Sequence, residues 1–185
     1  MNSKLILASK SPRRKQILEL AEIDFEIITK DTNELYPNDI PIHEVPIYIA
    51  MLKAKDIQAD YPNRKIMAAD TIVVLEDKII GKPKDKVEAT QILKSLSNKT
   101  HKVITGVVIL EGDNIIQFSD QTEVSFHQLN SNDIEHYIDV YNPYDKAGSY
   151  AIQEWIGAIA IHKINGCFYN VMGLPISKVM PHLKP

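Results

Sequence analysis

Apolar positions recur along the chain at two different spacings, and the changes from one to the other lay out the elements. Leu5, Ile6, Leu7 and Ala8 make a short continuous run, read as a strand over residues 4–8. Two serines and a proline break it, and apolar positions return at Ile17, Leu18 and Ala21, one face of a helix over residues 12–21. Residues 25–28 read as a second strand and the polar, proline-bearing residues 29–43 as a loop. From residue 44 to about 59, Ile47, Ala50, Met51, Ala54 and Ile57 fall at helical spacing, with Pro46 tolerated in the first turn.

The stretch "KIMAADTIVVLEDKIIG" reads as a buried strand, a tight turn at Glu76-Asp77 and a returning strand. Asp85 is placed to cap a helix carrying Ala89, Ile92, Leu93 and Leu96. Two long β segments follow, residues 102–110 and 114–126, joined by the turn-like "EGDN". A helix with Ile134, Tyr137, Ile138 and Tyr141 precedes the loop "NPYDKAGSY". The last block, "GAIAIHKINGCFYNVMGLPI", contains Asn165-Gly166, a two-residue hairpin signal. Helices and strands alternate without strict βαβ order, which predicts an α/β fold with a mixed, twisted sheet flanked by helices, arranged as one domain over residues 1–185 with two lobes and a cleft.

Composition narrows the function classes. With 185 residues, 44% of them apolar, the chain builds a sizeable core, which argues against disorder. No apolar stretch approaches the roughly 20 residues of a membrane span, and no secretory leader pattern opens the chain, so a soluble, unexported protein is expected. Cys167 is the single cysteine, without the neighbours of a zinc site, which fits a reducing cytoplasm. The net charge of −3 is not the footprint of a nucleic-acid backbone binder. P-loop, dinucleotide-binding and nucleophile-elbow patterns are absent.

Chemistry concentrates at a few positions. Ser11 before Pro12 marks a helix start, its hydroxyl placed to cap free amides that also attract anions, and Arg13 and Arg14 add two cations with directed donors. The same block also reads as a solvated basic turn. Asp70 stands in the middle of an apolar strand, where desolvation demands a partner, a metal or a cleft. It is either a metal ligand or general base, or a carboxylate tied to backbone or lysine. Thr71 beside it suits a strand on packing grounds alone. Lys53 lies on the flank of a helical apolar stripe, and Lys82 sits between Gly81 and Pro83. Glu34 falls in a polar loop, where binding groups gather, although an ordinary surface glutamate reads the same. Gln153 closes a short span with Asp145, Lys146 and Gly148, and its amide can pair with a pyrimidine edge.

Six blocks, "SKSPRR" at 9–14, "AADT" at 68–71, "GKP" at 81–83, "LSNKTHKVITGV" at 96–107, "DKAGSYAIQ" at 145–153 and "NVMGLPI" at 170–176, together resemble the Maf family of nucleoside triphosphate pyrophosphatases. The resemblance implies hydrolysis between the α- and β-phosphates with a divalent cation, magnesium or manganese. It also implies a house-cleaning role linked to septum formation and an often dimeric fold like that of inosine triphosphatases. By the same resemblance Asp70 stands at the family's acidic catalytic position, where it activates water, Arg13, Thr71 and Gln153 bear on substrate choice, and Ser9, Arg14, Glu34, Lys53 and Lys82 complete the site. "DKAGSYAIQ" is similar to the branch acting on dTTP and UTP, not the one preferring methylated guanosine triphosphates. Lys10, Asn98 and "QEWIG" depart from the family pattern, and Asn33 interrupts a frequent acidic pair before Glu34.

The reaction suits the residues. A polyphosphate needs several cations, supplied by Arg13, Arg14, Lys53 and Lys82, and a hard metal prefers the oxygens of Asp70 and Glu34. Two other readings stand beside it: a non-catalytic regulator of cell division that senses nucleotides, and an RNA-binding module built on the basic block, against which the acidity of the chain and the lack of an aromatic RNA motif both speak.

Overall fold

The computed structural model describes residues 4–183. Strand β1 (Leu5–Leu7) is buried along its length and pairs in parallel with β2 (Phe25–Ile27) and β3 (Ile66–Leu75). A run with no polar alternation is what a strand covered on both faces requires. Leu7 is opposite Ile27 on one side and Met67 on the other, and the Ala8 amide donates to the Met67 carbonyl at 2.8 Å. There β1 ends, while β3 runs on to Leu75, so Asp70 and Thr71 lie past the carboxyl end of β1.

Strand β4 (Lys78–Ile80) returns antiparallel to β3 across the Glu76-Asp77 turn. With β5 (Thr100–Glu111), β6 (Asn114–Phe126) and β7 (Ile161–Asn165), the hydrogen-bonded order is β2-β1-β3-β5-β6-β7, with β4 on β3. Parallel and antiparallel pairs coexist, as the irregular alternation of elements predicts. Helices α1 (Pro12–Leu20), α2 (Val45–Gln58), α3 (Lys86–Leu96), α4 (Ser131–Tyr141), α5 (Trp155–Ala160), α6 (Phe168–Met172) and α7 (Ile176–Leu183) complete the chain.

Two compact units share these elements: Met1–Thr71 with Thr105–Asp120 and Gly173–Pro185, and Ile72–Ile104 with Gln121–Met172. In the first, Ala50, Ala54 and Ile57 of α2 pack on Ile6, Ile66, Ala68 and Val108 of the sheet. The helix comes unusually near: a Cβ on Gly106 would lie 2.3 Å from the Ile47 amide nitrogen. In the second unit, Leu93 and Leu96 of α3, Ile134 and Ile138 of α4 and Phe126 of β6 form the core.

Two local expectations change. Asn165-Gly166 makes no hairpin, because Phe168–Met172 turns into α6 and the buried Asn170 amide ties that helix to the Val103 carbonyl and Thr122 Oγ1. The Ser11 hydroxyl makes no cap bond at α1, although Asp85 does cap α3, its Oδ1 accepting from the Glu88 amide at 2.8 Å.

His101 on β5 is 1% exposed, with Nε2 2.7 Å from the Tyr150 hydroxyl. Burial pulls its pKa from 6.5 down to about 4. The unfolded chain therefore binds a proton that the native state refuses between those values, and stability is lost as pH falls through that window, by on the order of 3 kcal/mol. Urea unfolding at pH 7 and pH 4.5 is expected to reveal this loss, and H101Q to show a smaller one; equal losses would clear His101 of the effect. For Gly106→Ala, overlap with the α2 backbone is expected to cost about 1–3 kcal/mol or more, measured by the same unfolding curves, and an unshifted midpoint would contradict the close approach.

Candidate active site

The carboxyl ends of parallel strands are where an open α/β sheet leaves room for a ligand. After β1 comes the turn carrying Ser9, and then α1 with Arg13 and Arg14; after β2 comes the loop carrying Glu34. That loop is pinned to the end of α2 and to its neighbour. Lys30 Nζ donates to the Asp56 carbonyl at 2.8 Å, Thr32 Oγ1 donates to the Asp56 carboxylate, and Lys10 pairs with Asp31. Asn33 Oδ1 accepts from the Leu35 amide at 3.2 Å, so the residue that breaks the acidic pair closes a side-chain turn around Glu34.

Lys53 reaches from α2 to both carboxylates, 2.7 Å from Glu34 Oε1 and 2.8 Å from Asp70 Oδ1. Its side chain is 18% exposed and that of Asp70 15%, whereas Glu34 is 48% exposed. Asp70 thus meets the desolvation problem posed by its strand through an ammonium, and the pair opens to solvent on the Glu34 side.

On a strand, successive side chains project to opposite faces. Asp70 follows Ile66 and Ala68 toward α2, and Thr71 serves the other face. There Arg14, 8% exposed, is fixed by three hydrogen bonds: Nε to the Gly173 carbonyl at 2.8 Å, and its two terminal nitrogens to Ser9 Oγ and Thr71 Oγ1 at 3.0 Å each. Thr71 Oγ1 lies 2.9 Å from Thr105 Oγ1, and Ser9 Oγ also accepts from the Ser11 amide at 3.2 Å. Burial pushes the Arg14 guanidinium below its ordinary pKa; the Asp70 and Glu34 carboxylates oppose that shift and the Arg13 charge adds to it. Arg13, one residue earlier, is half-buried.

The structure therefore brings together Glu34, Lys53 and Asp70, and separately Ser9, Arg14 and Thr71. Lys82 and Gln153 belong to the second unit, both exposed, Lys82 two residues past the end of β4 and Gln153 in the turn before α5. Two participants had no usable signal in the sequence. Thr105 reads as one more β-branched strand residue, and Gly173 acts through its carbonyl, which no side-chain pattern records.

Glu34 and Asp70 meet at one lysine head, and their carboxylates are hard oxygen donors of the kind a small divalent ion takes. Among the described residues no group of three or more histidine, cysteine, aspartate or glutamate side chains forms a closed metal cage. A two-carboxylate set suits magnesium, which keeps several non-protein ligands.

The "Maf-like protein" family matches residues 4–185. A dTTP/UTP pyrophosphatase of Cytophaga hutchinsonii is 49% identical over 99% of this chain and 84% of its own length. One from Parabacteroides distasonis is 47% identical over 98% and 95%, and one from Phocaeicola vulgatus 46% identical over 98% and 95%. The solved Staphylococcus aureus Ham1 protein aligns with a TM-score of 0.49 at 14% identity, covering 67% of this chain and 72% of that one, a likeness too partial to argue from. With a family match over nearly its whole length and relatives this similar, the chain belongs to the Maf family.

Proposed function

We propose that this protein is a nucleoside triphosphate pyrophosphatase that converts dTTP and UTP to the monophosphate and pyrophosphate. The observation that carries the reading is the Glu34–Lys53–Asp70 cluster beside a fixed arginine at the carboxyl ends of parallel strands. The dTTP/UTP pyrophosphatase names of relatives above 45% identity supply the substrate.

In this reading Lys53 holds Asp70 by Oδ1, which leaves Oδ2 to face a water. Asp70 takes the proton of that water as its oxygen bonds to the α-phosphorus; the bridging bond to the β-phosphate breaks, and its electron pair leaves with pyrophosphate. Arg13 and the start of α1 receive phosphate oxygens, and Arg14 holds the Ser9 turn that shapes their seat. A divalent cation, magnesium or manganese, would be held by Glu34 and Asp70 and supply charge neutralisation to the phosphates when bound. Lys82 adds a cation to the phosphate tail, Arg13 and Thr71 bear on substrate choice as the family resemblance implies, and Gln153 reads the base. A homodimer in the cytoplasm, cleansing the nucleotide pool, completes the proposal on the strength of the family resemblance. Among the described residues no helix is long and apolar enough to cross a membrane.

Incubating the purified protein with normal and modified triphosphates plus magnesium or manganese, followed by anion-exchange chromatography, is expected to yield monophosphate and pyrophosphate. Release of orthophosphate would reassign the broken bond, and nucleotide binding without any product would make the protein a sensor. Asp70→Asn is expected to lower turnover by ~10²–10⁴-fold while keeping its melting temperature, since the amide still accepts from Lys53; full activity would reject Asp70 as the base. Arg13→Ala is expected to lower kcat/KM about tenfold or more across all triphosphates, the scale of a lost charge-assisted hydrogen bond, and unaltered kinetics would remove Arg13 from the site.

A further inference from the structure

The residues around Gln153 are held far more tightly than an exposed turn needs. Ala151 and Ile152 are 4% and 5% exposed, whereas Gln153 points outward. The Glu154 amide donates to the Ala151 carbonyl at 3.1 Å, closing the turn. Tyr137 of α4, fully buried and stacked on Tyr141, then grips both ends: its hydroxyl accepts from the Ala151 amide at 3.1 Å and donates to Glu154 Oε2. The same carboxylate lies 3.6 Å from Nζ of the buried Lys146, which also pairs with Asp145 at 2.7 Å. Behind the turn, a Cβ on Gly157 would lie 1.8 Å from the Ile152 carbonyl oxygen, so α5 is seated directly against it.

An exposed loop with no task carries no such bracing, because ordering it costs conformational entropy without burying the exposed side chain. From this geometry we infer that Tyr137 is a positioning residue for base selection: one buried hydroxyl bridges the residues on either side of Gln153 and fixes the direction of its amide. The inference rests on the reading that Gln153 meets the pyrimidine. A planar amide making paired hydrogen bonds discriminates between bases only if the point it springs from is held, and a turn pinned at residues 151 and 154 fixes the Cα–Cβ direction of Gln153 from which the amide extends. Tyr137 itself touches no substrate; it acts through Ala151 and Glu154.

Tyr137→Phe removes only the bridging oxygen and leaves the ring in its packing. The decisive readout is the ratio of kcat/KM for dTTP to that for dCTP, alongside inhibition by inorganic pyrophosphate, which carries no base. Both Q153A and Y137F are expected to lower the ratio by roughly 3- to 10-fold, Y137F leaving the pyrophosphate inhibition constant unchanged, and the double variant falling no further than Q153A. If Q153A lowers the ratio and Y137F does not, or Y137F weakens every substrate and pyrophosphate alike, the positioning role is wrong and the proposed activity stands. If Q153A leaves the ratio intact, Gln153 does not read the base and the inference goes with it. Should Y137F fail to fold, E154A, which removes the other end of the same hydrogen bond, is expected to lower the ratio equally and is judged by the same outcomes.

Discussion

Two carboxylates brought together repel each other, and Asp70, the one largely withdrawn from water, is costly to desolvate. Lys53 resolves both difficulties with one ammonium placed between Glu34 and Asp70. Much of the first unit can be understood as the means of getting that ammonium there. The parallel pairing of β1 with β3 carries Asp70 beyond the end of β1; the loop after β2 brings Glu34 from the other side; and α2 lies against the sheet at Gly106, where any side chain would hold it off. The apolar stripe of α2 seats the helix, and Lys53 on its flank then meets the strand at Asp70.

Arg13 and Arg14 show how adjacent, chemically identical residues are given different work. One residue of helix is about 100° of rotation, enough to turn Arg14 into the structure and leave Arg13 half-buried. Arg14 then spends its donors on a carbonyl and two hydroxyls, acceptors that bear no charge, which joins α1, the Ser9 turn, β3 and the Gly173 backbone into one frame. A cation held so firmly keeps a fixed field at the site, and the nearby carboxylates offset part of its burial.

The second unit follows a different logic. Its core is larger in aromatic content, with His101, Phe126 and Tyr150 packed edge to face and Tyr137 buried beneath the turn of Gln153. Polar groups there tie pieces together: the Asn170 amide joins α6 to β5 and β6, the Tyr137 hydroxyl holds the 151–154 turn, and Lys146 lies between two carboxylates. The 151–154 turn is irregular backbone that no sheet ladder or helix supports.

Periodicity was enough to locate β1, α1, α2, β3, the Glu76-Asp77 turn and the long β5 and β6 segments, because each buries a face whose spacing the side chains record directly. The turn dipeptide Asn165-Gly166 misled, because it fits the end of an edge strand as well as a hairpin, and here the chain runs from β7 into α6. At the site, the odd carboxylate of Asp70 was legible because an acid in an apolar strand demands a partner, and the six blocks identified the family. Which cation answers Asp70 was decided only by tertiary structure, since Lys53 and Asp70 are distant in sequence and their meeting depends on how closely a helix can approach a strand. The roles of Ser9, Thr105 and the Gly173 carbonyl were equally hidden, for a hydroxyl or a backbone oxygen gains its meaning only when an arginine from elsewhere in the chain is folded against it.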